Sequence, residues 1–63
     1  MPISLEIVER AMNDFSRVQR RMLIAKKENA VEMYADLKDE YLTLKALLNV
    51  AGVNLAEIDY TKE

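Results

Sequence analysis

Apolar side chains recur at steps of three and four residues along two stretches of this chain. Such spacing is typical of amphipathic helices, because an α-helix completes one turn in about 3.6 residues. The pattern predicts one helix at about 5–27 and a second at about 30–51. The first series is Leu5, Val8, Ala11, Met12, Phe15, Val18, Met22 and Ala25, and the second is Ala30, Tyr34, Leu37, Tyr41, Leu44, Leu48 and Ala51.

Two arrangements of these helices fit the sequence. In a single straight helix of roughly fifty residues, the natural drift of the apolar stripe absorbs the one-residue slip between the two series. In an antiparallel hairpin, the chain reverses near 26–29. Asn29 and Glu32 favour the hairpin, because they have the spacing of a capping box and so predict a helix start at Asn29. Basic residues crowd before this point and acidic residues after it, as the dipoles of two separate helices prefer.

The hairpin also pairs the two apolar series. Folding about residue 28 brings Phe15 opposite Tyr41 and Leu5 opposite Ala51. A straight helix gives no such matches within one chain. We therefore predict an all-α fold built on an antiparallel two-helix hairpin.

The ends of the predicted helices carry residues suited to capping. Ser4 fits the N-cap of the first helix, and Gly52 fits the residue that ends the second. Asn54 opens another capping box, which predicts a short third helix at about 55–60 that folds back on the open end of the hairpin. We expect 61–63 to fray.

Length and composition limit how this fold is stabilised. The chain has 63 residues with neither Cys nor His, so disulfide bridges and zinc knuckles are excluded, and we predict a single domain over 1–63. One hairpin seam does not offset the entropy of ordering such a chain. Further apolar residues outside the seam form a candidate association surface, which predicts a homodimer in the form of a four-helix bundle. These residues are Ile7, Leu23, Ile24, Val31, Leu42, Leu47 and Val50.

The sequence offers little for catalysis. His and Cys are absent, and a single Gly cannot build a phosphate-binding loop. Glu32, Asp36 and Asp39 share one helix face and have the oxygen ligands that Mg²⁺ prefers, but no second acidic helix faces them. We interpret them as a solvated face, and we predict no enzyme activity, no metal site and no cofactor.

A stripe of basic residues on the first helix is a candidate contact for nucleic acid. The net charge of -2 gives no general attraction to phosphates, and no aromatic side chain is interleaved with the stripe for base stacking. Glu6 and Asp14 alternate with the arginines at helical spacing, which is typical of a solvated face with internal ion pairs. The stripe consists of Arg10, Arg17, Arg20, Arg21 and Lys27.

These observations predict a non-enzymatic protein that acts by association, as an adaptor, regulator or inhibitor. Its expected partners are a second copy of itself and a further protein of unknown identity. A nucleic-acid-binding regulator that uses the basic stripe is the alternative. The sequence shows neither a secretory signal nor an apolar run long enough to span a membrane, so we expect a cytoplasmic protein that does not bind membranes.

Overall fold

The computed structural model describes residues 4–62, and every element in this part of the chain is a helix. Helix α1 spans Leu5–Lys27, α2 spans Val31–Val50 and α3 spans Leu55–Ile58. α1 and α2 pack along each other as a hairpin, and α3 packs against α2. The predicted all-helical hairpin is therefore confirmed, and the single straight helix is excluded. α2 is one residue shorter at each end than predicted, and α3 stops before the predicted residue 60.

One apolar seam holds the two long helices together. Phe15 of α1 and Tyr41 of α2 are both fully buried, and their rings stack with centroids 5.2 Å apart. Aromatic pairs at such separations stabilise a core beyond the area that they bury. The predicted pairing of these two residues is confirmed. Around them, the buried core contains Ala11, Val18, Met22 and Leu48.

The first turn of α1 departs from the predicted pairing. Leu5 is expected opposite Ala51, but it is 72% exposed and lies outside the core. The core is closed at this end by residues that follow α2. Val53, Leu55 and Ile58 pack against it, as expected for a third helix that folds back on the hairpin.

The turn between α1 and α2 is built differently from the predicted capping box. The N-cap of α2 is Ala30 and not the predicted Asn29, so no side chain caps the start of this helix. Asn29 has a φ of 57°, in the left-handed region that asparagine tolerates better than most residues. Its N–H donates to the carbonyl of Lys26, and the N–H of Ala30 donates to the carbonyl of Ala25 at 2.8 Å. These two bonds are those of a Schellman motif, so Asn29 ends α1 and does not start α2.

The end of α2 has the same motif. Gly52 has a φ of 82°, where any side chain would be strained. The N–H of Val53 donates to the carbonyl of Leu48 at 3.0 Å, and the Val53 side chain packs against the core. The predicted role of Gly52 is confirmed. The predicted N-cap of α1 is confirmed as well, because the side chain of Ser4 accepts a hydrogen bond from the N–H of Ile7.

Residues 55–62, which we call the tail, lie across the hairpin and are held by a buried glutamine. Gln19 of α1 is fully buried. Its amide nitrogen donates to the carbonyl of Ile58 at 2.9 Å. Its oxygen accepts from the backbone N–H groups of Tyr60 and Thr61, at 2.9 and 3.0 Å. One side chain of α1 therefore satisfies three backbone groups of the tail.

These contacts correct the expectation that 61–63 fray. The hydroxyl of Thr61 also donates to the Gln19 oxygen at 3.2 Å, and the N–H of Lys62 donates to Asp59 at 3.0 Å. The expectation is wrong for both residues, because each is bonded to a buried polar side chain. Glu63 lies outside the described residues.

Asp59 is the second anchor of the tail and is only 6% exposed. Its carboxylate accepts from the Tyr41 hydroxyl at 2.7 Å and pairs with the Lys45 ammonium at 3.0 Å. Burial acts to raise the pKa of Asp59, but the hydrogen bonds from Tyr41, Lys45 and the Lys62 N–H outweigh it and hold that pKa below its ordinary value. Hydrogen bonds to Asp59 and then to Tyr41 raise the pKa of Lys45. The ion pair is therefore fully charged at neutral pH.

We predict that Gln19→Leu releases the tail without unfolding the hairpin. Leu is of similar size but leaves three backbone groups of the tail without a partner, and each such loss costs about 1 kcal/mol. Amide hydrogen exchange at Tyr60 and Thr61 should accelerate, and the free energy of unfolding should fall by about 3 kcal/mol. The control is Arg20→Leu at the exposed neighbouring position, which should change neither quantity. Equal protection of the tail amides in both variants would contradict the role of Gln19.

We also predict that docking of the tail depends on pH through Asp59. Because its pKa in the folded chain lies below the ordinary 3.8, its contribution to stability is present above that value and is lost as the pH falls through the folded pKa. Unfolding by denaturant should show this loss below about pH 4. Asp59→Asn keeps the size of the side chain, so it should have the lower stability already at neutral pH and a flatter acid profile. An unchanged acid profile in this variant would show that other groups cause the dependence.

Candidate association surface

The tail covers one side of the hairpin and leaves the other side open. It is bonded to Ser16 and Gln19 on α1 and to Tyr41 and Lys45 on α2. We call this the tail side. The open side is the opposite face of each helix, about half a turn away from these contacts when positions are counted at 3.6 residues per turn.

The open side carries an apolar cleft between the two long helices, close to the turn. Arg21 and Ile24 of α1 and Met33 and Leu37 of α2 line it. Ile24 is 55% exposed and Met33 is 60% exposed, whereas Leu37 is half-buried against the core. Two large apolar side chains therefore flank a groove whose floor continues into the core.

The seven residues predicted as an association surface fall on different sides of the hairpin. Ile24 lines the cleft. Ile7 precedes Arg21 by four turns, so it lies on the same side, and it is 52% exposed. Leu47 follows Met33 by four turns and is also on the open side, but it is half-buried against the core.

The other four predicted residues are exposed but lie away from the cleft. Leu23 is 49% exposed and follows Ser16 by seven residues, which places it on the tail side. Val31 and Leu42 are also turned toward the tail side. Around the axis of α2, both are closer in angle to Lys45 than to Met33. The last of the four is Val50, in the final turn of α2. We call Ile7, Ile24, Met33 and Leu47 the open-side surface.

Two members of the basic stripe of α1 are paired within the helix. Arg10 lies 3.9 Å from the carboxylate of Glu6, and Arg17 forms an ion pair and hydrogen bond with Asp14. Two of the ion pairs expected from this alternation are therefore present. Exposed pairs at this spacing contribute only about 0.2–0.5 kcal/mol each. The remaining basic residues of the stripe are exposed and are Arg20, Arg21 and Lys27.

No metal-binding arrangement is present in residues 4–62. Nowhere in this range do three or more acidic side chains approach closely enough to hold an ion. Every buried side-chain nitrogen or oxygen atom in the same range has a hydrogen-bond partner. Between residues 4 and 62, none of the helices combines the length and the apolar character needed to cross a membrane.

Reasoning from sequence misses the side chains that decide which side stays open. A signal exists for Gln19, because it follows Phe15 by one turn and places a polar group in the apolar stripe of α1. Asp59 carries no such signal. The path of the tail determines that it meets Tyr41 and Lys45, and that path is not evident from the sequence. Met33 is one residue outside the apolar series of α2, so its place in the cleft is not evident from periodicity either.

Comparisons with protein-family models, with curated proteins and with solved structures found no match to this chain.

We predict that the protein binds nucleic acid no more tightly than a protein without sequence specificity does, with a Kd of about 10⁻⁶ M or weaker at physiological salt. Arg10 and Arg17 already have carboxylate partners, which weakens their attraction for phosphates. Fluorescence anisotropy with labelled single-stranded and double-stranded RNA and DNA, titrated over a range of salt, measures this directly. A nanomolar complex whose affinity falls steeply with salt would favour the nucleic-acid-binding regulator instead.

Proposed function

We propose that this protein is a non-enzymatic association module whose open-side surface binds another protein, in the role of an adaptor, regulator or inhibitor. The exposure of Ile24 and Met33 on either side of one cleft carries the proposal. Isolated apolar residues are normal on protein surfaces, but apolar residues grouped around a groove are typical of a binding site.

The asymmetry between the two sides of the hairpin supports this choice of surface. The middle of the tail side is covered by the tail, which is held by hydrogen bonds to Gln19 and by the Asp59–Lys45 ion pair, although Leu23, Val31 and Leu42 stay exposed around it. On the open side, no segment of the described chain covers the cleft. A helix pair with an exposed apolar groove binds helical surfaces well, because a helix lays an apolar stripe into such a groove.

The first partner that we propose is a second copy of the chain. Two hairpins that meet through their open sides form a four-helix bundle, in which each contributes the same surface to a twofold interface. Such pairing would stabilise a chain of 63 residues considerably, because a domain of this size buries only a low fraction of its surface when it folds alone.

We predict that Ile24→Asp dissociates this dimer while leaving the hairpin folded. The unaltered protein should sediment at equilibrium with about twice the monomer mass of 7.3 kDa in the micromolar range. Ile24 is 55% exposed, so the charge costs the monomer little, but in the interface it would be buried and unpaired, which costs several kcal/mol.

The matched control is Leu23→Asp. Leu23 is the preceding residue, is 49% exposed and lies on the tail side, so this variant should remain a dimer. Circular dichroism shows whether both variants keep their helices. Loss of the dimer in both variants, or in neither, would contradict the assignment of the open side. A monomeric unaltered protein would contradict self-association altogether.

A further inference from the structure

The α2 edge of the open side is uniformly acidic, whereas the α1 edge carries three arginines, two of which are paired with acidic residues of the same helix. On α1, the arginines that lie away from the tail, Arg10, Arg17 and Arg21, fall within about 40° of one another around the helix axis. On α2, four acidic residues fall within a sector of about 100° that is also turned away from the tail. They are Glu32, Asp36, Asp39 and Glu40, and we call them the acidic edge.

No basic residue of α2 belongs to this sector. α2 contains two lysines, Lys38 and Lys45, and both lie on the tail side, where Lys45 is bonded to Asp59. The acidic edge is therefore not neutralised within its own helix. On α1, acidic neighbours offset Arg10 and Arg17, and Arg21 adds a further positive charge beside the cleft.

The opposite charges also lie at the same height along the hairpin. The stacked pair of Phe15 and Tyr41 fixes the register of the two antiparallel helices. Counted from this pair, Arg17 lies level with residue 39 and Arg21 with residue 35, both within the span of the acidic edge. Ile24 likewise lies level with residue 32, next to Met33.

We propose that two copies pair through their open sides with α1 of each copy against α2 of the other, about a twofold axis parallel to the helices. This inference rests on the proposed function and specifies its partner and its geometry. Rotation about that axis leaves heights unchanged. Arg21 of each copy therefore meets the acidic edge of the other, Arg17 lies level with that edge while paired with Asp14 of its own helix, and Ile24 meets Met33 of the other copy.

The charges decide between this axis and the alternative. A twofold axis perpendicular to the helices places α1 against α1 and α2 against α2. Arginines then face arginines, and one acidic edge faces another. Like charges across an interface cost several kcal/mol, whereas complementary charges fix the orientation of the partners.

Variants in which the charges of one edge are reversed test the pairing, and sedimentation equilibrium measures how tightly each variant dimerises. One variant combines Arg17→Glu with Arg21→Glu, and the other combines Asp36→Lys with Glu40→Lys. Each variant alone places like charges at both α1–α2 contacts of its homodimer, so each should dimerise at least about tenfold more weakly than the unaltered protein. An equimolar mixture of the two should form a heterodimer of near-native affinity, because both contacts then join opposite charges.

The matched control is Arg20→Glu combined with Lys27→Glu. These residues are exposed on the same helix but are turned toward the tail side, so the charge of α1 changes equally while the dissociation constant should stay within about threefold. Circular dichroism confirms that each variant is helical. The differences between variants should shrink at about 1 M salt, where the Debye length falls to about 3 Å.

The outcomes separate this inference from the proposed function. If both reversed variants dimerise as tightly as the unaltered protein, or if their mixture forms no heterodimer, the α1–α2 pairing is wrong. The open-side surface then still stands, provided that Ile24→Asp dissociates the dimer and Leu23→Asp does not. If the unaltered protein is a monomer, the pairing and the proposed self-association are both wrong.

Discussion

Tyr41 joins the two parts of this structure. Its ring stacks on Phe15 in the seam of the hairpin, and its hydroxyl donates to Asp59 of the tail. The ammonium of Lys45 lies 5.5 Å from the centre of the same ring and completes the network. Within the hairpin the Tyr41 hydroxyl only accepts a bond, from Lys45 at 3.4 Å, and docking of the tail adds the acceptor to which it donates. A buried donor without an acceptor costs free energy, so this bond favours the observed position of the tail and helps to leave the other side open.

Local patterns are sufficient to predict the two long helices, because periodicity and end-capping act within a few residues. They do not distinguish two occurrences of the same motif. Asn29 and Asn54 both stand three residues before a glutamate, yet Asn54 caps the start of α3 and Asn29 ends α1. The difference arises from what precedes each residue. Asn29 follows a complete helix whose last carbonyl groups need donors, and a left-handed residue supplies them.

The candidate surface is predictable only in part, because it depends on a segment that is distant in the sequence. Leu23 and Ile24 are consecutive and similarly apolar, and composition treats them alike. They differ because a segment more than thirty residues later in the chain lies along the side of α1 to which Leu23 belongs. Sequence pattern identifies the residues that one neighbouring helix leaves uncovered. It does not show which of them a third segment approaches, since that depends on buried polar contacts such as those of Gln19.

The bonds of Gln19 have a consequence for synthesis of the chain. They connect residues separated by 39 to 42 positions, whereas the turn of the hairpin closes over three. Contacts between residues close in sequence form before contacts between distant ones. The hairpin is therefore complete before the tail is available to bond to Gln19. At a translation rate of about 5–20 residues per second, synthesis from the end of α2 at Val50 to residue 62 takes roughly 0.6–2.4 seconds. During it the nascent hairpin has two open sides, and on the tail side the Tyr41 hydroxyl and the Gln19 amide still lack the partners that the tail provides.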